Sequence, residues 1–497
     1  MSHSETPRTL SDLYSADTIR SMLSEWQSKL QSHLNSVTTG TSRVLNWETP
    51  EAAIRLADSF LDRGQLQKPL EETLKSFSEC MDQILSSGQN LHHPRFIGHQ
   101  VPASIPLAGL IDAIGTMTNQ VMAIYEMGPW ATAVEFALVG RLCQRIGWDP
   151  ATSSGLLTSG GSLANLTALL TARNVAFPNS WEQGVPSEAA LVVQSDAHYC
   201  VARAAGIIGL GTQQVHRVEL DEARRMDPKH LDYVLKTLKD QGRRVIAVSA
   251  CACATPIGAF DPLEDVAAVC SRHNIWLHVD AAHGGAALMS RRHRHLLKGL
   301  EQADSVVWDA HKMMYVPALC AAVLYRNRDH RFQTFHQDAP YLFDPSNPGM
   351  AEYDSGMRTI ECTKRALGFG LWGLWSVFSE ELFEQLVDHT FERARQFHEM
   401  LEAADDFVTM HVPQCNIVAF RYLPRDMITE SAESQNRFQR EIRSRMIRAG
   451  RFYIVQTQLK NLAALRVTVM NPLTRREELE ELLQEIRRTG EEVRRSQ

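Results

Sequence analysis

Four short apolar runs recur through the middle of the chain: Ala190–Val193, Val245–Ala250, Ile275–Val279 and Ser305–Trp308. Helical or loop segments separate them. Runs this rich in Val, Ile and Ala fit strands buried on both faces, the pattern of parallel strands between helices. Their order predicts an open, mostly parallel α/β sheet. In such sheets ligands bind outside the carboxyl ends of the strands, so candidate chemistry is sought there.

The flanks read differently. Residues 1–10 are a polar tail. Ile19, Met22, Leu23, Trp26 and Leu30 recur at helical spacing and predict a helix over Ser15–Asn35, with Ser15 or Asp17 as its cap. Leu74, Phe77, Met81 and Ile84 predict a second over Leu70–Leu85. These helices have no strands nearby to pack on, so a partner subunit is one candidate for covering their stripes. His92–Pro150 is mixed, and Gly160–Ser162 precedes a helix over Leu163–Asn174. Arg326–Gly356 holds three prolines, Pro340, Pro345 and Pro348, and has no periodicity. A loop of that length is uncommon unless functional or disordered. Beyond it a long amphipathic helix is expected over Leu382–Leu401. Strands follow over Phe407–His411, Asn416–Tyr422 and Arg466–Met470, and a charged helix over Arg475–Arg494. The expected division is an N-terminal helical segment (1–88), a large ligand-binding domain (89–380) and a small α+β domain (381–497).

Composition excludes several classes. Lys plus Arg is 51 and Asp plus Glu is 58, a net charge of −7, which disfavours nucleic-acid binding. The basic run Arg291–His295 reads as a solvated face. The nine cysteines have no paired metal spacing, and Cys251 and Cys253 form C-x-C rather than C-x-x-C. Reduced thiols, no metal site and a cytoplasmic location are expected. No window holds 18 uninterrupted apolar residues, so no membrane span is expected.

The stretch Ser305–Tyr325 sets Lys312 between two apolar runs. Burying an ammonium without a partner is costly. Either the lysine snorkels to water, or it is a Schiff-base lysine and so has no charge problem. Other strand ends bear on the choice. Gly160-Gly161-Ser162 enters a helix, where backbone N–H groups and the helix N-terminus favour an anion, although such turns often only turn. Asp280 ends the strand IWLHVD and either caps the next turn or meets a cation such as a protonated pyridine nitrogen. Ala282 is small enough for a flat ring to lie over it. His198, a few residues past its strand, either stacks on a ring or is structural. Taken together in this order, the set matches the needs of pyridoxal 5′-phosphate (PLP): phosphate anchor, ring face, pyridinium partner and lysine.

The motifs HPRF (His93–Phe96), YEMGP (Tyr125–Pro129), TSGGSLANLTALLTAR (Thr158–Arg173), SDAHYCVARAAGIIGLG (Ser195–Gly211), HVDAAHGG (His278–Gly285), WDAHKMM (Trp308–Met314), YDSG (Tyr353–Gly356) and LRVTVMNP (Leu465–Pro472) span most of residues 90–475. In these the chain resembles the group II PLP-dependent amino-acid decarboxylases. The resemblance implies the aspartate-aminotransferase type of PLP-dependent transferase fold (fold type I) and an obligate homodimer. It implies that Lys312 holds PLP, His311 sits beside the phosphate, and Gly161 and Ser162 cradle that phosphate. It further implies that His198 stacks on the ring, Ala282 lies on the other face, and Asp280 partners the pyridine nitrogen. Arg466 is implied to hold the substrate α-carboxylate, and Tyr341 to protonate the α-carbon after CO2 leaves. A Phe at the Tyr341 position accompanies aldehyde formation in this superfamily, so tyrosine argues for an amine product.

Three positions depart from the family. Cys253-Ala254-Thr255 stands where many relatives read G-T-T, leaving Thr255 as the cofactor-side hydroxyl. Asp309, implied to be among the cofactor-binding residues, stands where several relatives have Asn. His99 stands where glutamate-type enzymes carry Gln, and with Tyr125 and Glu126 it bears on the substrate. A 2,4-diaminobutyrate-like or other small polar amino acid is expected first, an acidic one second and an aromatic one third. The remaining alternatives are an aminotransferase, an aldehyde synthase or an inactive decarboxylase-like subunit.

Overall fold

The computed structural model describes residues 10–66, 68–335 and 352–496. In it the Val-, Ile- and Ala-rich runs form the centre of a seven-stranded sheet. A two-residue strand, β1 (Val121–Met122), comes first in the chain. The sheet itself is built from β2 (Ser154–Thr158), β3 (Ala189–Gln194), β4 (Val215–Val218), β5 (Arg244–Cys251), β6 (Leu277–Asp280), β7 (Ser305–Asp309) and β8 (Ala321–Tyr325). Their spatial order is β2-β8-β7-β6-β5-β3-β4. β8 runs antiparallel to β2 and β7, and the remaining pairs are parallel. Successive residues of a strand point to opposite faces. Thus Leu191 and Val193 enter one core while Val192 enters the other, and Val307 is likewise opposed to Val306 and Trp308. Both faces are covered, which is why these strands show no polar alternation.

Helix Gly161–Ala176 lies on one face; helices Pro129–Ile146 and Leu263–His273 help to cover the other. The parallel strands place their carboxyl ends along one edge, bringing together His198, Asp280 and the turn Asp309–Lys312. After β8 a second two-residue strand, β9 (Lys364–Arg365), pairs with β1. There Lys364 is buried and donates to both oxygens of Glu135, at 2.9 and 2.7 Å, and to the Leu157 carbonyl at 2.7 Å.

The C-terminal part is a four-stranded antiparallel sheet of β10 (Phe407–Thr409), β11 (Ile417–Tyr422), β12 (Val455–Leu459) and β13 (Leu462–Thr468), in the order β10-β11-β13-β12. Helices Glu381–Glu402, Ala432–Ala449 and Arg476–Arg495 pack on it around Phe397, Phe420, Phe438, Leu465 and Leu482. Ile97 belongs to this core although it lies far upstream. Its N–H donates to the Tyr453 carbonyl at 3.0 Å and its carbonyl accepts from Thr468 N at 3.0 Å. The HPRF segment is thereby sewn into the small sheet.

Expected and observed elements differ where polarity hides a strand. β12, read VQTQL, is an edge strand that turns Gln456 and Gln458 outward. β13 begins four residues before the expected Arg466, because it pairs with β12 from Leu462 onward. The N-terminal helix runs Ala16–Thr38, and Ser15 is its cap, accepting from Thr18 N at 3.2 Å. Helix Leu70–Ser87 buries Met81 but leaves Ile84 72% exposed, and Pro50–Leu61 has no buried residue. Among the described residues no helix is long and apolar enough to cross a membrane, and no cluster of His, Cys, Asp and Glu could hold a metal ion.

Candidate active site

A cavity of about 490 Å³ opens at the carboxyl edge of the sheet, within the size range of small-molecule sites. It is lined by nine of the residues singled out above: Gly161, Ser162, His198, Thr255, Asp280, Ala282, Asp309, His311 and Lys312. They come from five separate strand ends and loops, which the parallel topology brings to one edge.

Asp280 closes β6 and is 8% exposed. It accepts from Ala282 N at 3.1 Å and from Asn165 Nδ2 at 3.3 Å. Asn165 lies one turn beyond Gly161 on the same helix, and its Nδ2 also donates to the Gly161 carbonyl at 2.9 Å. Its Oδ1 is 2.8 Å from His278 Nε2, while His278 Nδ1 is 2.8 Å from Ser305 Oγ, which accepts from Trp276 Nε1 at 2.9 Å. One assignment of protons satisfies the whole chain: Trp276 donates to Ser305, Ser305 to His278, His278 to Asn165, and Asn165 to Asp280. It requires a neutral His278, and burial pushes that imidazole down to about 4 against the raising effect of Asp280. Asp280 is therefore held in place by a buried network anchored in β7.

Lys312 Nζ lies 3.2 Å from Asp309 Oδ2. Burial pulls the Lys312 pKa down, but the charges of Asp309 and Asp280 outweigh it and the net shift is upward. His311 points Nδ1 at the backbone of Cys320, 2.8 Å from its carbonyl, and Nε2 at Asp309 Oδ2, 3.6 Å away. His198 caps helix Tyr199–Ile207, its Nδ1 accepting from Cys200 N at 3.4 Å. Burial lowers its pKa despite Asp280, so the ring across the cavity is neutral. Gly160 has φ +113°, and a Cβ on Gly161 would fall 2.7 Å from Asp309 Oδ2. A side chain at Gly160 would be strained, and one at Gly161 would have to displace the Asp309 carboxylate.

Arg466 and His99 sit behind the cavity wall. Arg466 is 6% exposed, donates from Nη1 to the Thr255 carbonyl at 2.6 Å, and among the described residues leaves Nε without a partner. Burial lowers its pKa to about 10. His99 packs on Tyr453, ring centres 5.5 Å apart. Tyr125 is not brought to the cavity: its backbone N–H donates to Asp354 at 2.8 Å and its ring meets Tyr353. Tyr341 lies outside the described residues.

A family model described as the pyridoxal-dependent decarboxylase conserved domain matches residues 58–423. The chain belongs to this family. The decarboxylase is 31% identical over 464 residues to acidic amino acid decarboxylase GADL1 of Mus musculus, covering 91% of this chain and 82% of that one. It is 30% identical over 467 residues to cysteine sulfinic acid decarboxylase of Rattus norvegicus, covering 92% and 93%. The crystal structure of mouse CSAD superposes with a TM-score of 0.86 at 27% identity, covering 96% of this chain and 99% of that one. The protein is a PLP-dependent amino-acid decarboxylase of fold type I, a member of the group II family.

The cavity fits PLP. A lysine amine and a buried, hydrogen-bonded carboxylate face the same space, a neutral imidazole and a small alanine line it, and a glycine-led helix N-terminus opens on it. Bound there, the cofactor supplies an electron sink for the charge left on the α-carbon when CO2 departs.

Asn165, His278 and His283 escaped the sequence reading. Signals for the first two existed: Asn165 is four residues after Gly161 on a helix, and His278 two before Asp280 on a strand, so each shares a face with a site residue. His283 lines the cavity with its Nε2 2.8 Å from Asn416 Oδ1, and burial drives its pKa down to about 3. Nothing in the sequence pairs it with Asn416, which is 133 residues away.

Proposed function

We propose that this decarboxylase acts as a cytoplasmic homodimer on a small L-amino acid bearing a second acidic group, releasing the amine and CO2. What carries the substrate class is the likeness to relatives named acidic amino acid decarboxylase and cysteine sulfinic acid decarboxylase, at 31% and 30% identity over most of both chains. His99 lies in the field of Arg443 as well as Arg466. Positive charge beyond that meeting the α-carboxylate favours an anionic side chain. A diaminobutyrate-like substrate is the second reading. It needs a carboxylate to meet its side-chain ammonium, and Glu126 is exposed and outside the cavity of its own chain.

In this reading Lys312 holds the cofactor, Gly161, Ser162 and His311 hold its phosphate, and His198 and Ala282 hold the two ring faces. Asp280, held in place by its hydrogen bonds, would partner the pyridine nitrogen and favour a proton there. Thr255 positions the cofactor, and Arg466 takes the α-carboxylate. His99 meets the side chain, and Tyr125 joins the substrate site across the dimer. Tyr341 delivers the proton to the α-carbon. The exposed Ile54 (67%), Leu61 (79%) and Ile84 (72%) support a partner over the N-terminal helices. The nine unpaired thiols fit a reducing compartment. The division at residues 88 and 380 stands as part of the proposal, with the His93–Ile97 segment packed into the small domain.

The test is to incubate the enzyme and PLP with cysteine sulfinate, aspartate, glutamate, 2,4-diaminobutyrate and tryptophan, measuring CO2, amine, aldehyde and keto acid. Amine and CO2 from an acidic member are expected. Exclusive turnover of diaminobutyrate or tryptophan refutes the substrate class. Keto acid or aldehyde as the main product refutes the reaction. Lys312→Ala is expected to lose both turnover and the visible absorbance of lysine-bound cofactor.

A further inference from the structure

Asp309 is the site residue whose charge conflicts with its position. It is 2% exposed, and its Oδ1 is buried with no hydrogen-bond partner among the described residues. Both carboxylate oxygens lie within 2.9 Å of where a Cβ on Gly161 would stand. The carboxylate therefore rests against the first turn of helix Gly161–Ala176, whose N–H groups suit a phosphate. A phosphate dianion and an ionised carboxylate there would be like charges with little water between them.

The titratable groups around Asp309 are few. Lys312 and His311 belong to its own turn, at 3.2 and 3.6 Å. His198 and Cys200 face it from the start of helix Tyr199–Ile207, Cys320 from the segment before β8, and Asp280 from β6 across Lys312. Lys312 is the cation in hydrogen-bond range, and its amine is the group PLP consumes. Burial keeps His198 neutral and the Cys200 thiol protonated, pushed up to about 12.

We propose that Asp309 positions the cofactor phosphate as a carboxylic acid, taking up one proton when the phosphate binds and donating it from Oδ1 to a phosphate oxygen. No bond between heavy atoms changes: one proton leaves a solvent or buffer acid and forms the carboxyl O–H, and the unpaired Oδ1 gains a partner. This rests on the PLP reading of the site and extends it. It also accounts for the asparagine of several relatives, because a protonated Asp and an Asn each present one donor edge and one acceptor. Only the aspartate ties phosphate affinity to pH.

The test titrates cofactor-free wild type and Asp309→Asn with pyridoxal phosphate between pH 6.5 and 8.5, following the visible absorbance. Asp309→Asn also removes a charge that raises the Lys312 pKa, so each protein is titrated in parallel with pyridoxal, which shares the Lys312 step and lacks the phosphate. The ratio of the pyridoxal phosphate Kd to the pyridoxal Kd is expected to rise about tenfold per pH unit in wild type relative to the variant, the linkage of one proton. Calorimetry at pH 8 in two buffers of different ionisation enthalpy is expected to show about one more proton taken up by wild type with pyridoxal phosphate than with pyridoxal. Equal slopes and equal proton counts overturn the role of Asp309 and leave the site reading intact. Absence of any lysine-bound absorbance at every pH overturns both. If Asp309→Asn does not fold, the wild-type proton counts decide alone, and equal counts for the two ligands overturn the proposal.

Discussion

Asn165→Ala is the substitution that best tests whether a buried amide holds the cofactor's carboxylate partner. Two losses follow, and they act on different quantities. The Asn165 Nδ2 to Asp280 bond, 3.3 Å long, goes to a charged acceptor that keeps one other donor, Ala282 N. Bonds to charged groups contribute about 1.5–3 kcal/mol, and this length places it at the lower end. About 1.4 kcal/mol is tenfold in an equilibrium constant, so the PLP dissociation constant should rise about tenfold. The second loss strands His278 Nε2–H, on a fully buried ring, at about 1–3 kcal/mol. That cost falls on the fold whether or not the cofactor is present. The assay pairs PLP titration by visible absorbance with thermal unfolding of the cofactor-free protein. His278→Phe is the control, since it breaks the network but leaves the Asn165–Asp280 bond in place. It should lower the unfolding midpoint and leave the dissociation constant within about threefold of wild type. Should His278→Phe weaken PLP as much as Asn165→Ala, or Asn165→Ala leave PLP affinity unchanged, the reasoning fails.

Two further outcomes are expected. Tyr341→Phe should shift product from amine toward aldehyde and ammonia, read by chromatography of the reaction mixture; an unchanged ratio counts against its role as proton donor. Lys364→Met should leave Glu135 charged and buried, with Arg358 the remaining nearby cation. A loss of about 3 kcal/mol is expected, the lower end for breaking a buried pair, seen as a thermal midpoint several degrees lower. Adding Glu135→Gln should recover part of it; no recovery refutes the unpaired-charge explanation.

Much of the site was legible because its residues sit at the carboxyl ends of recognisable strands. Asp280, Lys312 and Gly161 each follow or end an apolar run, and the α/β rule says where such ends converge. The supports were less visible. Asn165 looks like any polar residue on a helix, and its value comes from His278, 113 positions away. β12 was hidden for a related reason: an edge strand buries half its surface, so its alternating glutamines resemble a loop.

The sequence by itself determined the fold class and the family and pointed to candidate residues for the chemistry, because strand burial and the lysine, aspartate and glycine motifs are written locally. Tertiary structure decided which of those residues share one cavity and which do not. Arg466 and His99 fall behind its wall, and Tyr125 lies outside the cavity of its own chain. Asp309 is pressed against Gly161 with one oxygen unpaired. Such facts depend on how distant segments pack and on how much water remains between their charges. No local pattern encodes either quantity.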